Sequence, residues 1–196
     1  MLPDRDMLSD LSTHLDLDRF TLRNPTRRRE VTLSSLRGYF SAPAALEKAI
    51  SDTGDAVVYE VEVVEPKEQA PNILAYGVTR VFPGRVGNEC YMTKGHFHAD
   101  PTCTEIYLAL AGRGGLLQMT RDGRSFFQEM RAGDAVYVRG DMAHRLVNTG
   151  DDAFVTWAVY PVGAGHDYST IAERGFSSLV VGDESGAHLA PNPRWA

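Results

Sequence analysis

The stretch GHFHADPTCTEIYLALAGRGG, residues 95–115, places two histidines two positions apart, a glutamate seven positions on, and a tyrosine two after that. In a β-strand, residues i and i+2 share a face, so His96 and His98 point the same way. On the next strand Glu105 and Tyr107 share a face, while Ile106, Leu108 and Leu110 take the other. If these two strands pair through the turn between them, two imidazoles and a carboxylate converge. A fourth candidate, His144, stands in GDMAHRLVN at the start of a later strand. Three imidazoles and a carboxylate form an open site for one divalent transition metal: Mn²⁺, Fe²⁺, Ni²⁺, Zn²⁺ or Co²⁺. A six-coordinate ion there keeps two positions for substrate or water. An isolated histidine pair is more often plain surface or core. The spaced glutamate and the later histidine, each at a strand edge, tip the reading toward metal.

These residues need a β-scaffold, and the chain supplies one. AVVYEVEVVE alternates, with Tyr59, Val61 and Val63 on one face and Val58, Glu60 and Glu62 on the other. ILAYGVTRVFPG, ECYMTKGHFH, EIYLALAG, GGLLQMTRDGRSFFQEM, DAVYVRG, HRLVNTG and FVTWAVYPV follow, separated by turn residues. Asp122-Gly123 signals a two-residue hairpin. Many short strands at regular spacing indicate an all-β sandwich or barrel. Before them, NPTRRRE (Asn24–Glu30) reads as a solvated surface crossing. SAPAALEKAIS reads as a short helix with Ser41 as N-cap and Pro43 in its first turn. After them, a short helix around Ile171–Arg174 closes at Gly175, and the remainder reads as coil. The expected division is an N-terminal wrap with a short helix (1–54), a β-barrel (55–165) and a C-terminal helix and tail (166–196), together one structural domain.

The chain has 196 residues, 43% hydrophobic and 23% charged, with a formal net charge of −6. That is ordinary globular composition, and the acidic balance argues against nucleic acid as a partner. No apolar run is long enough to span a bilayer, and the acidic N-terminus lacks the apolar core of a signal peptide. A cytoplasmic location is expected, with Cys90 and Cys103 as structural thiols. His14 and His188 read as bystanders.

The residues around the histidines resemble the cupin superfamily. Its first motif is matched by His96, His98, Glu105 and Gly112, its second by Gly133, His144 and Asn148. The second motif departs at two turn positions, where Arg139 replaces proline and Asp141 replaces glycine. Six residues separate His98 from Glu105, more than the general pattern has. That longer loop, with TKGHFH, AHRLVN and YPVGAGHDYSTIAERGF, is similar to the cupin-type glucose-6-phosphate isomerases over roughly residues 32–176.

The resemblance implies a cupin jelly-roll β-barrel with short N-terminal and C-terminal helical segments. It implies a metal held by His96, His98, Glu105 and His144, iron among the candidates, and reversible conversion of glucose 6-phosphate to fructose 6-phosphate in glycolysis and gluconeogenesis. It implies substrate contacts at Thr79, Thr93, Gly95, Tyr107, Tyr160 and His166, with Tyr59 the looser match, and a homodimer.

The chemistry suits these residues. Moving a hydrogen between C1 and C2 by a proton route needs one base near both carbons and a polariser for their oxygens. Glu105 fits the base and a metal the polariser. A hydride shift needs only the metal, and the sequence leaves both routes open. His166 is placed to assist ring opening or to bind substrate, and Tyr107 to bond substrate or a water. Lys94 and Arg80 alternate out of phase with Thr93 and Thr79, so neither is assigned the phosphate. Two other readings use the same scaffold: an Fe²⁺ cupin dioxygenase, which needs an apolar pocket, and a non-catalytic sugar-binding cupin.

Overall fold

The computed structural model describes residues 11–67, 73–183 and 186–195. The first ten residues of the expected N-terminal wrap lie outside them.

Fifteen strands are formed among the described residues. The short β1 (Leu15–Asp16) and β2 (Thr21–Leu22) pair with each other. Next come β3 (Arg27–Thr32), β4 (Val57–Val64), β5 (Leu74–Val81), β6 (Arg85–Val86) and β7 (Glu89–Cys90). The central run is β8 (Glu105–Ala111), β9 (Arg113–Met119), β10 (Ser125–Arg131), β11 (Ala135–Val138), β12 (Ala143–Asn148) and β13 (Phe154–Pro161). The chain ends in β14 (Ser178–Asp183) and β15 (Gly186–Pro191). Helix α1 (Pro43–Thr53) precedes β4, and α2 (Ser169–Arg174) precedes β14.

Two antiparallel sheets form the body. One has the order β11-β8-β13-β5-β4-β3, the other β10-β9-β12. Their strands are not joined into one closed ring of hydrogen bonds, so the jelly roll is a barrel in shape and a two-sheet sandwich in bonding. Alternation aims the apolar side chains inward. On β8, Glu105, Tyr107 and Ala109 are buried while Ile106 and Leu108 face out. Phe97, Leu117, Met119 and Phe154 fill the core between the sheets.

Several local expectations are corrected. NPTRRRE is not a surface crossing: Arg27–Thr32 is the edge strand β3, paired with β4 in the register Arg27↔Val63 and Arg29↔Val61. Ser41 does not cap α1. Its amide and hydroxyl both donate to Oε2 of Glu89 at 2.9 Å, and Ala42 takes the cap position. The β9–β10 loop has three residues, Arg121–Gly123, because Thr120 N–H still donates to the Arg124 carbonyl. A turn followed by a left-handed Gly123 (φ 87°) is the usual build of such a loop.

The tail is not coil. β14 and β15 form a hairpin whose β14 also pairs with β7. It is pinned by Arg194, which donates to the carbonyls of Gly38 (2.7 Å) and Tyr39 (3.2 Å), and by Trp195 Nε1, which donates to Gly175 (3.1 Å). Both cysteines are buried free thiols.

Candidate metal centre and its cavity

The histidine pair does not form a hairpin with the strand of Glu105. It lies beside β12: Met92 bridges Val147, and His96 bridges His144. Between these bridges the histidine strand takes four steps and β12 takes three, so one extra residue bulges out. Thr93 Oγ takes over the ladder, accepting Leu146 N–H at 3.0 Å. Gly95 completes the bulge with φ 72°, where a Cβ would lie 2.7 Å from the Phe176 ring and 3.0 Å from the His144 carbonyl. Glu105 opens β8 in the opposite sheet. The four candidate ligands therefore come from both walls of the jelly roll.

Their ligand atoms all lie within 4.8 Å of one another. His98, Glu105 and His144 are 2%, 5% and 1% exposed. His98 Nδ1 donates to the Cys103 carbonyl at 2.9 Å, and His144 Nδ1 to the Met142 carbonyl at 3.3 Å. A carbonyl only accepts, so the proton sits on Nδ1 and each Nε2 is left to face the centre. Those two Nε2 atoms stand 3.3 and 3.1 Å from the same oxygen, Oε2 of Glu105. At 3.1 Å the His144 Nε2 is close but misaligned, and it has no hydrogen-bond partner. A buried lone pair aimed at a carboxylate is unfavourable unless a cation lies between them. The donor set fits a divalent transition metal.

Electrostatics separate the groups. Burial opposes ionisation of Glu105, but His144 and His98, when a second proton occupies the Nε2 that faces it, overturn that and bring the carboxyl down to about 2. Burial alone would lower His98. The Glu105 carboxylate and the Cys103 carbonyl outweigh that and raise it. Burial, reinforced by the neighbouring imidazoles, holds His96 well below the ordinary value. Burial lowers His166. Burial also pushes the Tyr59 and Tyr160 phenols up to about 12. Burial, with Glu105 adding to it, raises Tyr107 well above its ordinary value. These phenols are neutral hydrogen-bond donors.

A cavity of about 200 Å³ lies over the cluster. Tyr59, Thr79, Thr93, Gly95, Tyr107, Tyr160 and His166 are all on its wall, with His96, His98 and Glu105 at the base; His144 is packed behind. A bridge between Phe97 and Asp167 holds the GHDY segment against the histidine strand. It sets the His166 ring 4.3 Å from the His96 ring and stacks it on Tyr168.

Four wall residues were not expected there. Tyr168 follows from GHDY once that segment is known to bridge. Arg27 and Arg29 follow from alternation once β3 is known to be a strand. Lys94 reaches the cavity beside Thr93 because the bulge breaks alternation. Arg80 stays on the outer face, 2.5 Å from Glu60.

A jelly roll whose two walls bring three imidazoles and a carboxylate together at the base of one cavity defines a cupin with a centre fit for a metal. The chain belongs to the glucose-6-phosphate isomerase family: the family model "Glucose-6-phosphate isomerase (GPI)" matches residues 30–192. A glucose-6-phosphate isomerase of Thermococcus litoralis is 46% identical over 163 residues, 83% of this chain and 85% of the relative. A putative glucose-6-phosphate isomerase 2 of Rhizobium meliloti is 38% identical over 82% of this chain and 80% of that one. Among solved structures, a cupin 2 conserved barrel domain protein from Salinispora arenicola aligns with a TM-score of 0.38 and 23% identity, over 53% of this chain and 75% of that one. No helix among the described residues is long and apolar enough to cross a membrane.

Proposed function

We propose that this chain interconverts glucose 6-phosphate and fructose 6-phosphate, with one divalent transition metal held by His96, His98, Glu105 and His144. The observation that carries the reading is the pair of buried Nε2 atoms converging on one Glu105 oxygen beneath a cavity lined by hydroxyls and cations as well as apolar side chains, in a chain of this family. The bound metal supplies Lewis acidity at the substrate's C1 and C2 oxygens.

The chain's own residues do the rest. Glu105 is the base that accepts a proton at C2 and returns it at C1. Tyr107 lies on the same face of β8 and donates its O–H to a substrate hydroxyl. His166, over the His96 ring, carries the proton of ring opening. Thr79, Thr93, the Gly95 amide, Tyr59 and Tyr160 hold the substrate as neutral donors. Iron is one candidate ion. The three sequence segments act as one structural unit in a homodimer. A cytoplasmic place in glycolysis and gluconeogenesis suits two free thiols.

The test strips the protein with chelator and adds Mn²⁺, Fe²⁺, Co²⁺, Ni²⁺ or Zn²⁺ singly, with fructose 6-phosphate as substrate. Turnover restored by metal and abolished in His144→Ala is expected. Glu105→Gln is expected to retain bound metal, measured by elemental analysis, while losing at least about 100-fold in kcat. A folded, metal-loaded protein with no turnover on any ion would sink the isomerase reading.

A further inference from the structure

The cavity is electrically polarised in a way the metal cluster does not explain. Glu105, at its base, is the one acidic residue lining it; Arg27 and Arg29 line it from β3, and Lys94 from the histidine strand across from them. On β3, Arg27 and Arg29 sit opposite Val63 and Val61, whose side chains also line the cavity. Arg28, between them, faces the other way and pairs with Glu62 at 3.2 Å.

Several cations on this acidic chain are held by carboxylates on the outer surface. Arg37, Arg80, Arg124 and Arg139 each have a carboxylate within 3.2 Å. Arg27 has Glu65 at 3.4 Å. Arg29 and Lys94 have no acidic partner among the described residues. Lys94 instead lies 5.1 Å over the Tyr39 ring, and its charge and that of Arg29 act on each other unfavourably. Two unpaired like charges held at one cavity repel until an anion comes between them.

We propose that Arg29 and Lys94 are the charged clamp for the dianionic phosphate of the substrate, with Arg27 tempered by Glu65 as a weaker third member. This rests on the sugar-phosphate reading above and names what selects phosphorylated over free sugar. A molecule with a polyol at one end and a dianion at the other matches a cavity with metal ligands at its base and bare cations on its wall. Arg29 offers a planar fork to two phosphate oxygens, and Lys94 offers a point charge. The neutral donors Thr79, Thr93 and Tyr160 alone would not distinguish a phosphate from a hydroxyl.

The test uses the metal-loaded full chain, with Arg29→Ala and Lys94→Met against Arg28→Ala. The last alters the same strand on its opposite face. Turnover of fructose 6-phosphate is expected to show KM raised about tenfold or more in the first two, with kcat changed far less. KM of the parent should climb with salt, and the climb should flatten in both variants. Calorimetric titration with sorbitol 6-phosphate, which cannot isomerise, gives a readout apart from turnover. Its affinity should fall about tenfold or more in Arg29→Ala and hold in Arg28→Ala. Affinity for sorbitol 6-phosphate equal to the parent's in both clamp variants overturns the proposal, and active enzyme in that case leaves the isomerase reading intact. Should the parent fail to turn over, the isomerase reading falls and the titration alone decides the clamp. Arg29 is exposed on an edge strand, so its variant does not depend on core repacking.

Discussion

Arg145 stands next to a candidate ligand, His144, yet points away from the cluster into a dry pocket. It is 3% exposed. Its Nη2 donates to the Lys94 carbonyl at 2.7 Å, and its plane lies 4.3 Å over the Phe176 ring. Burial lowers it to about 10, and the Glu89 charge works against that fall. Glu89 is equally buried, and one of its carboxylate oxygens lacks a partner. The two charges attract each other without forming an ion pair, while Arg145 braces the bulge through the Lys94 carbonyl. Removing the guanidinium leaves that carbonyl without its donor and Glu89 without a nearby opposite charge. Arg145→Met is expected to cost about 2 kcal/mol in urea denaturation. Glu89→Gln in the same chain should recover part of that loss, as a double-mutant cycle would measure. Additive losses would show that the two do not act as a pair.

The edge strand that bears the proposed phosphate clamp depends on a joint at its far end. Ser34, just after β3, donates N–H and O–H to Asp55 at 2.7 and 2.6 Å, and Asp55 leads into β4. Its backbone is left-handed (φ 64°), a conformation Asp and Asn tolerate better than most residues. The Ser34 donors hold the Asp55 carboxyl below its ordinary value of 3.8. A depressed carboxyl contributes stability that is present above the unfolded pKa and lost as pH falls through the folded one. Asp55→Asn keeps the backbone and removes the charge. It is expected to lower stability by about 0.5 kcal/mol at neutral pH, discounted because the site is partly solvated. The gap should stay constant down to about pH 5 and close below about pH 4. Urea midpoints across that range check it.

This strand also shows where sequence reading succeeded and failed. The convergence of His96, His98, Glu105 and His144 is legible because each sits at a strand edge in a recognisable motif. The inward face of β8 was legible because alternation there is unbroken. Arg27–Arg29 looked like surface because three successive arginines hide alternation: a strand that is polar on both faces has no hydrophobic period to reveal it. Lys94 was misplaced because one bulge residue reverses parity, and only the partner strand reveals the count. The β14–β15 hairpin reads as coil because its second strand, Gly186–Pro191, mixes glycine, proline and histidine, and its first strand is fixed by pairing with distant β7.

Beyond the cavity, the N-terminal segment covers the β4–β5 side of the six-stranded sheet's outer face, packing Leu22 and Phe20 on Val78 and Val155, and leaves the β11–β8 side to solvent. Tyr137, Ile106 and Leu108 there are 57%, 49% and 37% exposed. Register makes them one patch: Tyr137 lies opposite Ile106, which lies opposite Val159, while Ala135, Leu108 and Trp157 form the next row. None of these side chains is charged, so the patch offers a charged partner nothing. An uncharged apolar face can be self-complementary about a two-fold axis, so in the proposed homodimer this patch is the expected contact with the second copy. The same sheet supplies Glu105, Tyr107 and Tyr160 from its inner face, so pairing through the outer face would stiffen the cavity wall without blocking its mouth. Ile106→Glu with Tyr137→Glu is expected to convert a dimer to a monomer in analytical ultracentrifugation at micromolar concentration, because two like charges would meet their copies across the axis. Both side chains point to solvent in the single chain, so fold and metal content should persist in the monomer. A parent that sediments as a monomer, or a double variant that stays dimeric, would place the interface elsewhere or remove it.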